Sequence, residues 1–550
     1  MARTTPDKAE LKRNIANIKK FLKKRDFSMI DSGIELTRSL DQELIFAEFL
    51  KDCAINKEGQ LVRNKMFSGT GPAQPYLDYA LLNLVAYAPE KTNLNKSLKR
   101  SNIKSLNFYE SIEWTELPSY ISSFTSLTSL ELNSCGNLQN FDSLANCTNL
   151  TSLDLSDCDA LENIDGLANL TKLTSLRLIS CDALENIDGL ANCANLTSLR
   201  LISCDALENI DVLANLTKLT SLDLCYYALE NIDGLAKLTN LTSLDLNSCD
   251  ALENIDGLAK LTNLTSLDLS YCYALENIDG LANLTKLTSL DLNSCDALQN
   301  IDGLANLTKL TSLCLSSCVA LQNVDGLTNL TNLTSLNLSG CYALQNVDHR
   351  RQLRQQQLYL TGRCLANLTK LTSLNMSRCY ALENVDGLTN LTNLTSLIMN
   401  TCDALQNIDG LAKLTNLTSL DLSDCVALQN VDGMTNLTNL TSLDLSGCYV
   451  LQNIDGNLTK LTSLNMSRCV DLQNVDGLTN LTNLTSLDLS GCYALQNIDG
   501  LAKLTNLTSL DLSGCNALQN VDGLANLTKL TSLNMSRCVD LQNVDGLTNL

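Results

Sequence analysis

The chain has 550 residues, a net charge of −21, 45% apolar residues and only 4% aromatic ones. That apolar share excludes a wholly disordered chain. A single histidine, His349, removes histidine triads, histidine-held metals and proton shuttles from consideration.

Residues 1–100 hold 18 basic against 12 acidic residues, so the rest of the chain is strongly acidic. An acidic body argues against a nucleic-acid surface there. Met1–Asn14 is charged and lacks an apolar stretch, so no secretory signal is visible. No apolar run reaches the roughly 20 residues of a membrane helix, and no membrane span is expected. Within Lys8–Lys24, Leu11, Ile15, Ile18 and Leu22 fall at helical spacing, with Lys8, Lys12, Lys19 and Lys23 elsewhere on the helix. Asp41–Cys53 and Gln74–Ala88 also read as helices, and Ser68–Pro72 as a loop. A small all-α domain over 1–95 is expected, capping the remainder of the chain. Its basic face reads as a solvated surface before it reads as a membrane contact.

Self-similarity dominates beyond residue 100. Leu150–Lys172 reads LTSLDLSDCDALENIDGLANLTK, and Leu173–Ala194 repeats it after a step of 23 residues. A period of this length marks a solenoid, because one unit cannot bury its apolar face without neighbours. In Leu150–Leu155 the apolar residues alternate, which predicts a short strand with Leu153 and Leu155 inward and Asp154 outward. Leu161, Ile164, Leu167, Leu170 and Leu173 then recur every third residue, which suits tight 3₁₀-like turns. Stacked copies give one parallel sheet. Eighteen clear strand frames run from Leu127 to Leu530, with a less regular one at Ile103–Phe108 and a degenerate one at Leu358–Leu360.

The frame L-x-x-L-x-L-x-x-C-x-x-L-x-x-I, present as LTSLDLNSCDALENI in Leu241–Ile255, resembles the leucine-rich repeat family. The likeness is to its cysteine-containing variety, similar to internalin-like and plant resistance-type repeats, and covers residues 101–550. It implies an α/β solenoid of about twenty units, bent into a horseshoe with a parallel sheet on its concave face. In this family that face binds other proteins.

Three departures stand out. Arg350–Gln357 breaks the pattern, and 349–364 reads as a deletion or frame slip, with a hinge or extruded loop as the functional alternative. Asp455–Leu458 lacks two residues. The chain ends at Leu550 inside a repeat frame without a polar capping unit, so a fragment or a covered end is expected.

Of 23 cysteines, seventeen occupy one frame position, from Cys135 to Cys538. The resemblance implies that this position faces the interior. There is no C-x-x-C pair and a linear ladder does not converge on an ion, so the thiols read as small buried hydrophobes. Unpaired thiols suit a reducing compartment. The Asp-Gly steps, such as Asp165-Gly166, read as turn caps rather than as calcium ligands. The Asn-Leu-Thr triplets match the glycosylation sequon simply because the repeat recurs. Phosphate loops and nucleophile elbows are missing. No cofactor, metal or catalytic residue is expected.

Binding is therefore expected on the outward strand positions, which vary along the stack. Asp223, Asp245, Asp268 and Asp291 follow one another there. Like charges in such a row repel, so a basic protein partner would relieve them and be steered in. Tyr226, Tyr271 and Tyr273 stand near the strand ends as aromatic anchors. Arg177 and Arg200 are expected to form a separate basic patch. The function expected is a non-enzymatic protein-interaction scaffold in the cytoplasm of a bacterium. Two alternatives are an effector delivered to a host cell, with any catalytic domain beyond Leu550, and a surface adhesin.

Overall fold

In each copy, alternation of leucine with Ser or Asp dictates a three-residue strand. Ser152–Asp154 buries Leu153, and Leu155 follows it into the core, while Asp154 stays at the surface. The next copy repeats the sequence and therefore the register: Ser152, Leu153 and Asp154 pair in parallel with Ser175, Leu176 and Arg177. Leucine stacks on leucine from rung to rung, so the core is continuous although each copy contributes a thin slice of it.

The computed structural model describes residues 8–22, 27–39, 54–55, 61–62, 103–108, 114–117, 119–207, 209–225, 229–345, 365–380, 382–452, 454 and 457–548. The chain divides into two compact units, one of residues 1–227 with 234–245, the other of 228–233 with 246–550. Among the described residues, the first unit carries seven parallel strands from Ser105–Asn107 to Ser243–Asp245. The second carries twelve, from Ser266–Asp268 to Ser532–Asn534. All eighteen expected frames and the one at Ile103–Phe108 form strands.

The three-residue leucine period produces the expected 3₁₀ return. Leu167 N–H bonds Ile164 O at 2.9 Å, Leu170 N–H bonds Leu167 O at 2.8 Å, and Leu173 N–H bonds Leu170 O at 2.9 Å. With three residues per turn, every third side chain points the same way, and Leu161, Ile164, Leu167, Leu170 and Leu173 are all buried. Rungs are also tied by side chains. Thr174 Oγ1 donates to Thr151 O and Asn195 Nδ2 to Thr171 O, both one copy back.

The Asp-Gly step differs from expectation. Asp165 opens the turn, and its N–H is accepted by Asn163 Oδ1 at 3.3 Å, an arrangement repeated at Asp188 and Asn186. The cap is thus the asparagine two residues earlier. The glycine is explained by stacking: a Cβ on Gly189 would lie 2.1 Å from Ile164 O in the preceding copy.

Ser335–Asn337 pairs directly with Ser373–Asn375. The rung expected at Leu358–Leu360 therefore does not lie between them. Residues 346–364 lie outside the described ones. The shortened copy keeps register as well, with Ser442 opposite Ser463. At the last described rung, Ser532–Asn534, Leu533 is half-buried and Val539 and Val544 are 73% and 52% exposed.

In the N-terminal part, helix α1 (Lys8–Leu22) forms where expected and lies against a second helix, α2 (Phe27–Ser39), which the periodicity did not reveal. Ile18 and Leu22 of α1 and Ile30 and Ile34 of α2 are buried, and Gly33 allows the approach, since a Cβ there would meet Phe21 Cβ at 2.8 Å. Ala54–Ile55 and Leu61–Val62 form a short antiparallel pair. The helices expected at Asp41–Cys53 and Gln74–Ala88 and the loop at Ser68–Pro72 lie outside the described residues. No described helix is long and apolar enough to cross a membrane.

Candidate functional site

The outward residue of each strand is most often Asp or Asn, and the structure gives a local reason. Its Oδ1 accepts the backbone N–H two residues on: Asp268 from Ser270 at 2.9 Å, Asp291 from Asn293 at 2.8 Å, Asp421 from Ser423 at 2.9 Å. Asn337, Asn375 and Asn465 do the same toward Ser339, Ser377 and Ser467. This bond satisfies a donor where the chain leaves the strand. Asparagine performs it as well as aspartate, so the negative charge is left over from the structural requirement. That acceptor role was not read from the sequence, although the recurrent Asp-x-Ser and Asn-x-Ser spacing signals it.

In the first unit Asp223 and Asp245 sit opposite each other in register, and in the second Asp268 and Asp291 do the same. Burial raises the pKa of Asp291 above the usual carboxylate range, and the neighbouring Asp268 charge adds to the rise. Asp511 shows the reverse. Burial pulls its pKa up, but donors from Ser513 and Asn534 outweigh it, and the carboxyl is held below the usual range.

Arg177 and Arg200 stand opposite each other in register, and each also pairs with an aspartate on its far side. Arg200 Nε lies 2.8 Å from Asp223 Oδ2 and Arg177 Nε 3.2 Å from Asp154 Oδ2, each pair facing across adjacent rungs. The register places an arginine beside an aspartate, and mutual neutralisation follows. Asp223 thereby loses part of the repulsion expected of it.

Tyr271 and Tyr273 are 41% and 44% exposed and meet edge to face, ring centroids 6.2 Å apart. Tyr226 lies outside the described residues. Four further exposed tyrosines, Tyr342, Tyr380, Tyr449 and Tyr493, escaped the sequence reading. Each directly follows a frame cysteine, a spacing that could have found them. Tyr342 and Tyr380 stack with centroids 5.5 Å apart. A groove of about 700 Å³ also went unforeseen. It runs past Thr395, Asn416 and Thr418 between Lys370 and Lys460, whose ammonium groups rest on Asn332 and Asn439.

The cysteines of the frame position are inward. Cys158, Cys272 and Cys515 donate to Leu132 O, Leu246 O and Leu489 O at 3.5, 3.3 and 3.2 Å. Burial pushes the thiol of Cys135 up to about 11 and that of Cys318 to about 12. Such groups stay protonated and unreactive. Among the described cysteines only Cys314 and Cys538 are partly exposed.

One cluster could hold a cation. Asp223, Cys225 and Asp245 each bring a ligand atom to within 4.8 Å of the others. Cys225 stands there because its copy is one residue short between Leu224 and Leu229. Its thiol donates to Asp223 Oδ1 at 2.9 Å, and burial, then both carboxylates, raise its pKa far above the ordinary thiol value. With Arg200 on the other oxygen of Asp223, the cluster is already hydrogen-bonded and partly neutralised.

Known families match along most of the chain. The BspA type leucine rich repeat region matches residues 90–208 and 452–550. The two-copy leucine rich repeats match 217–260 and 262–306, and the Zer-1-like leucine-rich repeats match 362–454. The chain is a leucine-rich repeat protein. No curated protein matches its sequence. Among solved structures, a leucine-rich repeat protein from Leptospira interrogans superposes with a TM-score of 0.53 at 20% identity, over 73% of this chain and 93% of that one. The functional domain of InlJ from Listeria monocytogenes, which includes a cysteine ladder, gives 0.47 at 24% identity over 67% and 74%. The internalin InlF from Listeria monocytogenes gives 0.41 at 24% identity over 67% and 88%. The likeness to the Leptospira protein, at 20% identity, speaks for the fold alone. In this leucine-rich repeat chain the inward positions are thus occupied by structure, and the outward strand positions are those left free to vary.

Proposed function

We propose that the protein is a non-enzymatic scaffold that binds a basic protein partner on the outward face of its strands. The observation that carries this reading is the charge on the outward aspartates. Their Oδ1 bond to the backbone needs only an amide oxygen, as Asn337 and Asn375 demonstrate. The carboxylate beyond it burdens the fold at Asp291, whose ionised form is disfavoured by burial and by Asp268. A cationic partner would remove that burden. Tyr271 and Tyr273, exposed after the Ser266–Asp268 strand, offer aromatic anchors beside the charge.

The test is affinity capture from cells with the full chain and with Asp223→Asn, Asp245→Asn, Asp268→Asn and Asp291→Asn combined. Asparagine keeps the Oδ1 acceptor and deletes the charge. A partner recovered by the native chain should be lost with the variant and retained by a control carrying Asp279→Asn and Asp302→Asn on the 3₁₀ returns. Equal recovery with both variants would put the binding surface elsewhere.

A further inference from the structure

We propose that the loop edge beyond the strands Ser442–Asp444, Ser463–Asn465 and Ser486–Asp488 is a docking strip for a proline-rich segment in polyproline II conformation that carries a basic residue.

The strip consists of Tyr449, Val470 and Tyr493, each directly after a frame cysteine and therefore in line from rung to rung. Tyr493 is 55% exposed and Tyr449 38%, and Val450 adds apolar surface beside the latter. These are large apolar groups held in water. The Tyr493 ring lies toward Gly514, where an added Cβ would meet Tyr493 Cε1 at 3.9 Å, so the glycine leaves the ring edge open.

The backbone decides which kind of chain fits. Every loop segment here is hydrogen-bonded to the next copy. Gly447 N–H bonds Ser467 O at 2.8 Å, Arg468 N–H bonds Ser490 O at 2.7 Å, and Gly491 N–H bonds Ser513 O at 2.7 Å. The carbonyls of Tyr449, Val470 and Tyr493 accept from Asp471, Ala494 and Ala517. Strand addition needs free backbone groups, and these are taken. An amphipathic helix needs an apolar groove, whereas this is a strip one side chain wide. A polyproline II segment needs neither. It makes no internal hydrogen bonds, and aromatic side chains are its usual platform.

Spacing agrees. Tyr449 and Tyr493 are two rungs apart, about 9.6 Å at about 4.8 Å per rung. One polyproline II turn is three residues at about 3.1 Å, or about 9.3 Å. Prolines on one edge of the segment would fall on successive tyrosines, whose hydroxyls can donate to its carbonyls.

Charge supplies the basic residue. The nearby cation Arg468 is spent within the molecule: its Nη2 lies 2.9 Å from Asp424 Oδ1, reached past Gly447. Gly447 has φ +70°, and a Cβ there would strike Asp424. Asp471 remains exposed next to Val470, and Asp444 and Asp488 lie on the adjoining strands.

The test is calorimetric titration of the full chain with two synthetic peptides of about twelve residues, each with one flanking arginine. One is built on P-x-x-P steps, and the other replaces its prolines with Gly and Ser. The proline-rich peptide should bind, and Tyr449→Ser with Tyr493→Ser should weaken it by about tenfold or more. Tyr449→Phe with Tyr493→Phe should retain most of the affinity, which separates lost stacking from lost folding. Asp279→Asn with Asp302→Asn, on the 3₁₀ returns, should leave it unchanged. No binding of the proline-rich peptide, equal binding of the Gly/Ser peptide, or indifference to the Tyr449 and Tyr493 serine variants would each overturn the proposal. The outcome is independent of the aspartate variants above.

Discussion

Replacing Gly326 by alanine should open its copy locally. An added Cβ would sit 2.0 Å from Ile301 O and 2.8 Å from Ile301 C in the preceding copy. Real contacts of this kind stay beyond about 3 Å, so roughly 1 Å must be recovered by moving backbone against backbone. The rung cannot yield as a side chain would, because Leu327 N–H is bonded to Val324 O and Leu330 N–H to Leu327 O. Overpacking of this type costs about 3 kcal/mol, or about two decades in the local opening constant. Gly234 is the matched control, since its Cβ would meet nothing nearer than Asp211 Oδ1 at 3.8 Å. The preceding copy already carries Val212 at the glycine position. Hydrogen exchange at the amides of Leu327 and Leu330 reads the effect directly. Exchange should accelerate about a hundredfold in Gly326→Ala, and Gly234→Ala should change the corresponding Leu235 and Leu238 amides little. Equal behaviour of the two variants would refute close stacking as the reason for the glycine.

Three further outcomes are expected. Alkylation of the native protein, read by mass spectrometry, should modify Cys314 much faster than Cys318, whose thiol burial holds at about 12. Asp291→Asn should raise the melting temperature at pH 7. The folded pKa lies above the unfolded one, so the penalty of ionisation is full at neutral pH and disappears as pH falls below the unfolded value near about 4; the two melting curves should converge in acid. Asp511→Asn should do the opposite, because its folded pKa is lowered. The native side chain stabilises at pH 7, and that advantage fades as pH falls through the folded pKa.

The solenoid was legible because two periods are written into each copy. Alternation over Leu150–Leu155 and the three-residue run from Leu161 to Leu173 each admit one backbone geometry. The inward cysteines were implied by the resemblance to leucine-rich repeats. What escaped depends on relations between copies. Arg200 meets Asp223 only because register sets them opposite, and the carbonyl that excludes a side chain at Gly189 belongs to another copy. Either Asp or Asn can cap a turn, and only the geometry selects Asn163 over the aspartate of the Asp-Gly step. Helix α2 escaped because Ser28, Asp31, Ser32 and Gly33 weaken its propensity, while Ile30 and Ile34 gain their place by packing on α1.

Carbodiimide footprinting of carboxylates, with and without a captured partner, tests the binding face most directly. Asp268 and Asp291 should become protected on complex formation while Asp279 and Asp302 label unchanged. Protection confined to Asp279 and Asp302 would place the partner on the 3₁₀ returns and contradict the proposal.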